Sequence, residues 1–393
     1  MILYNYLWIA LQLLIGFNLV FPFFLYVLWK IRLIFQKRQP EVPLTEQADY
    51  AIIVTAYQQT DMLPYVVSSI LKLNYSNYLI YVVADNCDVS GLDFNDERVV
   101  LLRPPETLAS NTRSHFYAIN HFHRPHERLT IIDSDNLVEP EYLNELNHLF
   151  NKGFKAVQGV RKAKNLDSTF SCLDAARDIY YHFYDGKVLF ELQSSATLSG
   201  SGMAFTTALY KECLEHLDIT GAGFDKVLQA EILKRNYRIA FTEDAVVYDE
   251  KTSRSDQLVK QRARWINTWF KYFKYGFTIL GTGLQRMSIN QILFGIVLLR
   301  PPLFMFILAS GLFLLINIFI SLTGVLIWAG AFFLFALGFY IALLHSNADS
   351  RIYKSLINIP KFIYFQLISL LKSRNANKTS IATTHYHGPV NDN

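Results

Sequence analysis

Acidic side chains occur in two short clusters, and each cluster follows an apolar, β-branched run. Asp133 and Asp135 alternate in the segment DSDN, and Asp85 begins the segment DNCD. Alternate residues that leave a strand can point towards one region, and a cation that carries phosphate oxygens and water needs only one or two protein carboxylates. A single aspartate at a strand end is often just a turn former or a helix cap. Two clusters at one edge instead favour a site for Mg²⁺ or Mn²⁺.

The elements that would hold these clusters alternate between strand and helix patterns. The predicted strands are 50–55, 79–84, 98–102 and 129–132, and the predicted helices are 61–73, 114–122 and 139–150. This alternation predicts an α/β fold with a mostly parallel sheet that helices cover. Ligands of such sheets bind beyond the carboxyl ends of the strands. The first strand runs into TAYQ, so we expect Thr55 and Tyr57 to face the same site as the acidic clusters.

A third polar group lies on a predicted helix, LVKQRARWINTWFKYF. Gln261 and Arg264 are three residues apart and Trp265 is next, so the three side chains share one face. The guanidinium fork of Arg264 can bind two oxygens of an anion, and the planar ring of Trp265 can stack on an apolar face of a ligand. A helix at the membrane surface is the alternative, and Trp269 fits it better.

Both ends of the chain are strongly apolar. Residues 4–29 are long enough to cross a bilayer and carry no charge, although Gln12 and Asn18 interrupt them. A signal peptide is disfavoured because the run is too long and shows no cleavage site. Basic residues follow this run, namely Lys30, Arg32, Lys37 and Arg38. By the positive-inside rule they predict that the next domain is cytoplasmic.

The second apolar flank, 291–344, is long enough for two spans. A break at 321–324 would divide it into 302–320 and 325–344, and the chain would return to the side of the first basic cluster. Basic residues are again found there, namely Arg351, Lys354, Lys361, Lys372, Arg374 and Lys378. Residues 287–299 and 357–371 are predicted either as interface helices or as short packed helices.

Composition narrows the class of partner. Lysine and arginine number 37 and aspartate and glutamate 33, which gives a net charge of +4 and disfavours nucleic acid. The three cysteines match no zinc motif and no disulfide framework, so reduced thiols are expected.

In their order along the chain, these motifs resemble those of inverting family 2 glycosyltransferases with a GT-A fold. That family includes cellulose synthases, hyaluronan synthases and bacterial exopolysaccharide enzymes. The matching pieces are IIVTAY (52–57), VVADNCD (82–88), IIDSDN (131–136), GSGMAF (200–205), the region of Asp225 and QRARW (261–265). The resemblance covers about residues 50–270. It implies a Rossmann-like GT-A domain, a nucleotide-sugar donor (UDP-sugar by resemblance), Mg²⁺ or Mn²⁺, and a polysaccharide or lipid-linked acceptor.

The resemblance also implies roles for single residues. Asp135 would bind the metal, Thr55, Tyr57, Asp85, Asp133 and Arg264 the nucleotide-sugar, and Gly202, Gln261 and Trp265 the acceptor. Relatives use an aspartate of a Glu-Asp motif as the base, and the literal match here ends at Asp244. Asp244 precedes Gln261 by only 17 residues, too few for the usual helix, strand and loop. Asp225 precedes it by 36 and is the predicted base, with a plain helix N-cap as its alternative role.

The predicted organisation has five parts. They are a transmembrane helix (1–30), a basic linker (31–48), a cytoplasmic GT-A domain (49–275), an interface helix with two transmembrane helices (276–345) and a partly amphipathic cytoplasmic tail (346–393). The cell (inner) membrane is the expected location. Three spans would line a polymer channel only with interface helices or an oligomer. An oligomer or synthase-complex partners are expected as further protein partners.

Two other functions remain open at this stage. A metal-dependent nucleotidyltransferase would also use carboxylates at strand ends, but TAYQQTDM lacks its usual phosphate loop. An inactive membrane scaffold would not need to retain Asp85, Asp135, Asp225 and Arg264 together.

Overall fold

The computed structural model describes residues 2–35 and 47–377. Lys37, Arg38 and Lys378 lie outside the described residues, as do most of the predicted linker and the end of the predicted tail. Within the described part, eight strands form one sheet. They are β1 (Tyr50–Tyr57), β2 (Tyr78–Asp85), β3 (Val99–Leu102), β4 (Arg128–Asp133), β5 (Leu137–Val138), β6 (Ala156–Ala163), β7 (Met203–Thr206) and β8 (Ile239–Asp249).

The sheet has the order β3-β2-β1-β4-β7-β6-β8-β5. Strands β7 and β5 run antiparallel to their neighbours, and the other six share one direction. The predicted α/β fold with a mostly parallel sheet is therefore confirmed. In the register, Tyr57 pairs with Asp85 and Thr55 with Asp133, so the carboxyl ends of β1, β2 and β4 meet at one edge.

Helices cover both faces of the sheet and continue beyond it. They are α1 (Ile2–Phe35), α2 (Leu63–Leu71), α3 (Asn111–Asn120), α4 (Tyr142–Asn151), α5 (Thr169–Tyr181), α6 (Leu189–Glu191), α7 (Thr207–Leu214), α8 (Phe224–Lys234), α9 (Ser255–Tyr272), α10 (Tyr275–Arg286), α11 (Ile289–Leu299), α12 (Leu303–Ile320), α13 (Leu322–His345), α14 (Ser350–Ser355) and α15 (Ile359–Lys372). A π-helical segment, His182–Val188, joins α5 to α6.

Alternate side chains of β1 enter two separate cores. Ile52 and Val54 pack with α2 and α4, whereas Ala51 and Ile53 pack with α3, α7 and α8. A strand that is buried on both faces must be apolar throughout, which explains the continuous run YAIIV at its start. The rigid centre of the sheet thus fixes the positions of the polar residues that follow it.

Three helices in the described ranges are long and apolar enough to cross a membrane. They are residues Tyr6–Phe35 within α1, then α12 and α13. The break that we predicted at 321–324 is a single residue, Ser321, whose hydroxyl accepts a hydrogen bond from Gly324 N at 3.1 Å and caps α13. The side-chain oxygen Oε1 of Gln12 accepts hydrogen bonds from Asn317 Nδ2 (2.6 Å) and Trp328 Nε1 (2.8 Å), so this side chain joins the three helices.

The two segments predicted as interface or packed helices both contact the soluble domain. Phe294 of α11 is buried in the core beside α8, and α11 packs closely on α10 at Gly283 and Gly295. Helix α15 packs on α9 and buries Phe362 and Gln366. Packing therefore accounts for one side of each helix, and a position at the membrane surface stays a prediction.

Candidate active site

A cavity of about 1300 Å³ lies beyond the carboxyl ends of β1 and β4 and extends to α12 and α13. Eight of the ten predicted site residues line it: Thr55, Tyr57, Asp133, Asp135, Asp225, Gln261, Arg264 and Trp265. The folding of the chain thus brings together residues from β1, β4, α8 and α9. The other two, Asp85 and Gly202, lie outside its wall.

Asp85 fixes a neighbouring loop. Its carboxylate is buried, with Oδ1 accepting a hydrogen bond from Leu108 N at 2.9 Å and Oδ2 one from Ala109 N at 2.7 Å. These bonds hold the chain that leads into α3. Both carboxylate oxygens of Asp85 already have backbone partners in this structure. Contact of Asp85 with a uracil or a ribose remains a prediction.

Gly202 is required for packing inside the domain. Its φ of +67° favours glycine, and an added Cβ would lie 2.8 Å from Val247 Cγ2 on β8. Its amide donates to Ile131 O at 3.0 Å, which ties the residue to β4. Close approach of backbones therefore explains this glycine, whereas its neighbour Gly200 lines the cavity.

Asp225 is the second residue of α8, whose N-cap is Gly223. The alternative role that we considered for Asp225, an N-cap, is therefore wrong. Its carboxylate lies 3.0 Å from Lys226 Nζ, which in turn donates to Leu198 O at 2.8 Å. The carboxylate thus stands at the positive end of a helix, where negative charge is stabilised.

Gly223 also determines how close Asp225 comes to α9. Its φ is +100°, and an added Cβ would lie 2.6 Å from Thr268 Cγ2 and from Tyr272 Cε2. Only a glycine permits this approach and this backbone conformation. The start of α8 is thereby packed on the helix that carries Gln261, Arg264 and Trp265.

The literal Glu-Asp motif lies elsewhere. Asp244 is exposed on β8, and its amide donates to Thr242 Oγ1 at 3.1 Å. Glu243 pairs with Lys187 and with His345 at the end of α13. Neither acidic residue lines the cavity.

The residues of α9 have partners of different kinds. Gln261 Oε1 accepts a hydrogen bond from Thr252 Oγ1 at 3.1 Å, and burial lowers the pKa of the Arg264 guanidinium. Two guanidinium groups lie over the Trp265 ring, with Cζ of Arg262 4.1 Å and Cζ of Arg177 4.5 Å from its centroid. Stacking of Trp265 on an acceptor sugar stays a prediction, and the ring already has cationic neighbours.

Sequence reasoning missed a buried ionic cluster beside the cavity. Its members are Arg161, Asp174, Arg177, Asp178, Asp249, Lys251 and Arg262. Lys251 Nζ lies 2.5 Å from Asp178 and 2.8 Å from Asp249, and Arg262 pairs with Asp174. The spacing of Asp174, Arg177 and Asp178 within an otherwise buried helix was the available signal, since charges are rarely buried unless they are paired.

The cluster predicts sensitivity to acid. Burial alone would raise the pKa of Asp178, but the charges of Lys251, Arg177 and Arg161 hold it well below its usual value, and Asp249 is lowered in the same way. A carboxyl group whose pKa is depressed by folding contributes its full stabilisation at pH values above its unfolded pKa, which is about 4. This stabilisation is lost as the pH falls towards the folded pKa.

We therefore expect the thermal unfolding midpoint of the detergent-solubilised chain to fall as the pH drops below about 4. The Asp178→Asn variant should have a lower midpoint at neutral pH and a shallower dependence on acid. An equal dependence in both proteins would contradict this assignment.

The carboxylates of Asp133 and Asp135 suit a cation that is also bound by the phosphate oxygens of a ligand. Asp133 and Asp135 both line the cavity, and their hard oxygen ligands are the type that Mg²⁺ and Mn²⁺ prefer. No group of three or more histidine, cysteine, aspartate or glutamate residues that could hold a metal occurs in the ranges that the structure describes. A cation here would therefore depend on phosphate oxygens for much of its shell, as Mg²⁺ does at other phosphate sites.

The sheet, the cavity at its carboxyl edge and the carboxylates there are typical of a GT-A glycosyltransferase. A sequence model described as "Glycosyltransferase like family 2" matches residues 47–268, which is more than half of the chain. The chain belongs to this family, and it is a glycosyltransferase. This assignment favours glycosyl transfer over the nucleotidyl transfer that the sequence left open.

One of two similar solved structures, that of PcManGT, supports the fold. The mannosyltransferase PcManGT from Pyrobaculum calidifontis, in complex with GDP-Man and Mn²⁺, is 15% identical with a TM-score of 0.59, over 93% of this chain and 98% of that one. TarS 1-349 from S. aureus, in complex with UDP-GlcNAc, is 14% identical with a TM-score of 0.42, over 84% and 90%. A search of curated proteins gave no match.

Proposed function

We propose that this glycosyltransferase moves a sugar from a nucleotide-sugar to a hydroxyl group of a polysaccharide or lipid-linked acceptor, with inversion at the anomeric carbon. The supporting observation is that Asp133, Asp135, Asp225 and Arg264 line one cavity, although they come from distant parts of the chain. Such convergence is what a reaction between two bound substrates requires. A UDP-sugar is the donor type that the family resemblance implies.

Asp225 is proposed as the general base. As the acceptor oxygen bonds to the anomeric carbon, its proton passes to the Asp225 carboxylate. The bond between that carbon and the donor diphosphate breaks, and its electron pair leaves with the nucleoside diphosphate. Arg264, on the helix α9 that packs on the start of α8, is proposed to stabilise the charge that develops on this leaving group.

A divalent cation is proposed at Asp135, with Asp133 beside the sugar or ribose. When bound, it would supply positive charge to the leaving diphosphate. The Mn²⁺ and GDP-Man in the PcManGT structure support a metal and a nucleotide-sugar for this fold. The side chains of Thr55 and Tyr57 are proposed to line the donor pocket at the end of β1.

A membrane setting is proposed from the three apolar helices, with the catalytic domain on the cytoplasmic side. Lys30 and Arg32 at the end of α1 support this orientation, as do Arg351 and Lys354 after α13. Both ends of the membrane segments then place their positive charge on the same side.

The direct test of this function is release of free nucleoside diphosphate. The purified full chain would be supplied with a panel of nucleotide-sugars, Mn²⁺ and candidate acceptors, and the product would be analysed by mass. We expect one donor to be consumed with formation of a glycosylated acceptor. A folded protein that consumes none of the panel would contradict the proposal.

Replacing Asp135 with alanine should weaken metal-dependent binding of the donor. Removal of a residue that only supports a metal ligand lowers metal affinity about 10-fold or more, so loss of the ligand itself should lower the affinity at least as much. The measurement is calorimetric titration of the nucleoside diphosphate with Mn²⁺ and with EDTA. Asp244→Ala, at an exposed position on β8, is the matched control. Unchanged Mn²⁺ dependence in Asp135→Ala would remove this residue from the metal site.

A further inference from the structure

Guanidinium groups and aromatic rings alternate along one wall of the cavity. Arg262 and Arg177 lie over the Trp265 ring, and Arg177 and Arg300 lie over the Tyr181 ring, with Cζ 5.5 and 5.8 Å from its centroid. All five residues line the cavity. We call them the arginine–aromatic ladder. It leads from α9 towards the membrane, because Arg300 lies three residues before the start of α12.

Two arginines of the ladder have unused donors. Arg262 and Arg300 are 2% and 6% exposed, and each pairs with one carboxylate, Asp174 or Asp185. Nε and Nη1 of Arg262 and Nη1 of Arg300 are buried without a hydrogen-bond partner among the described residues. Leaving charged donors unpaired in the interior is costly, so this wall is suited to a ligand that supplies acceptors. The planar fork of arginine matches phosphate in particular.

The wall beyond Arg300 is apolar. Phe304 and Ile307 of α12 line it, together with Phe332, Phe335 and Phe339 of α13. Both helices are long and apolar enough to cross a membrane. One cavity therefore has a cationic part at α9 and a hydrocarbon-like part at the proposed spans. A ligand that fits both parts has an alkyl chain and an anionic head.

The ladder is also connected to the proposed base. Lys226, the neighbour of Asp225, donates to Leu198 O at 2.8 Å, and the amide of the preceding Thr197 donates to Asp185 O at 2.9 Å. Asp185 is the partner of Arg300. Residues 197 and 198 therefore join the site of a head group at Arg300 to the start of the helix that carries the proposed base.

We infer that the acceptor is a phosphate-bearing glycolipid, with its alkyl chain between α12 and α13 and its phosphate at the arginine–aromatic ladder. This inference rests on the proposed glycosyl transfer and chooses the lipid-linked acceptor over the free polysaccharide. The acceptor sugar would extend from the phosphate to Asp225. Its hydroxyl oxygen bonds to the anomeric carbon, its proton moves to Asp225, and the nucleoside diphosphate leaves with the electron pair of the broken bond.

A binding experiment tests the lipid phosphate without any need for turnover. The full chain is purified in digitonin, whose steroidal body has no long alkyl chain, and is titrated with hexadecyl phosphate, hexadecanol and inorganic phosphate. We expect hexadecyl phosphate to bind at least about tenfold more tightly than either of the others, because it alone satisfies both parts of the cavity. Equal binding of hexadecanol, or equal binding of inorganic phosphate, would overturn the inference.

Conservative variants locate the phosphate. Arg262→Lys and Arg300→Lys keep a positive charge for Asp174 and Asp185 but remove the second set of donors. Each should weaken hexadecyl phosphate binding about tenfold, and the hexadecanol affinity should stay as it is. Arg98→Lys, whose arginine pairs with Asp96 outside the cavity, is the matched control. Thermal unfolding midpoints identify a variant that fails to fold, and the wild-type comparison above still decides the inference in that case.

Nucleoside diphosphate release separates this inference from the proposed function. If donor turnover is found and hexadecyl phosphate binds no better than hexadecanol, the lipid phosphate is wrong and glycosyl transfer stands. If hexadecyl phosphate binds as expected and no donor on the panel turns over, the proposed function fails instead.

Discussion

Replacing Asp225 with asparagine is expected to lower the rate of sugar transfer by about two to four orders of magnitude. The amide has nearly the shape of the carboxylate but cannot accept the proton of the acceptor hydroxyl. Asp225 belongs to α8, whereas the carboxylates that are proposed to hold the donor lie at the end of β4. Affinity for the nucleotide-sugar should therefore stay close to that of the wild type, as measured by calorimetry beside the rate of transfer.

Asp244→Asn is the matched control for this prediction, because Asp244 ends the literal Glu-Asp motif and is exposed on β8 outside the cavity. It should transfer sugar at nearly the wild-type rate. Normal turnover in Asp225→Asn together with loss of turnover in Asp244→Asn would reverse the assignment of the base.

Replacing Lys251 with methionine should destabilise the fold by about 3–5 kcal/mol. Lys251 is 2% exposed, and its ammonium group lies between the carboxylates of Asp178 and Asp249. Methionine keeps much of the side-chain volume, so the main change is the loss of the charge. The buried carboxylate of Asp178 and the half-buried carboxylate of Asp249 then lose their shared partner. Arg161 and Arg177 remain beside them, but the negative charge at this site is compensated less, and this has a large free-energy cost.

The measurement is the free energy of unfolding of the full chain in detergent. Arg351→Met is the matched control, since Arg351 pairs with Asp349 at 2.8 Å with 59% and 35% of the two side chains exposed. An exposed pair of this kind contributes about 0–1 kcal/mol. Similar losses in both variants would show that burial does not determine the contribution of the cluster.

The strand ends could be predicted because they depend on local patterns. The run YAIIV predicts a strand that is buried on both faces, and the position of ligands in parallel sheets then directs attention to Thr55, Asp133 and Asp135. The structure lines one cavity with these residues. Asp225 was selected over Asp244 by counting the elements that must fit before Gln261, and the cavity wall contains Asp225 but not Asp244.

The rest of the site depends on contacts between distant segments. Arg177 and Arg262 each resemble an ordinary helix-surface arginine in the sequence, and Arg300 resembles a helix-ending residue before two prolines. Only the packing of α5, α9 and the junction between α11 and α12 makes them neighbours. Asp85 and Gly202 match family motifs, but the direction of the Asp85 carboxylate follows from its bonds to the loop before α3, and the position of Gly202 follows from close contact with β8. Motif spacing carries no information about either contact.

The amide of Gln12 has a consequence for biogenesis. Its partners, Asn317 and Trp328, follow it by 305 and 316 residues in the chain. At about 5–20 residues per second, a ribosome needs about 15–60 s to make that length. In the proposed membrane setting, the first helix would lie in lipid during this interval with an unsatisfied polar group, which is unfavourable in hydrocarbon. The unpaired amide of Gln12 would thus distinguish an incompletely synthesised chain until the hairpin of α12 and α13 inserts. Truncated products would keep this amide unpaired and accessible to membrane quality control.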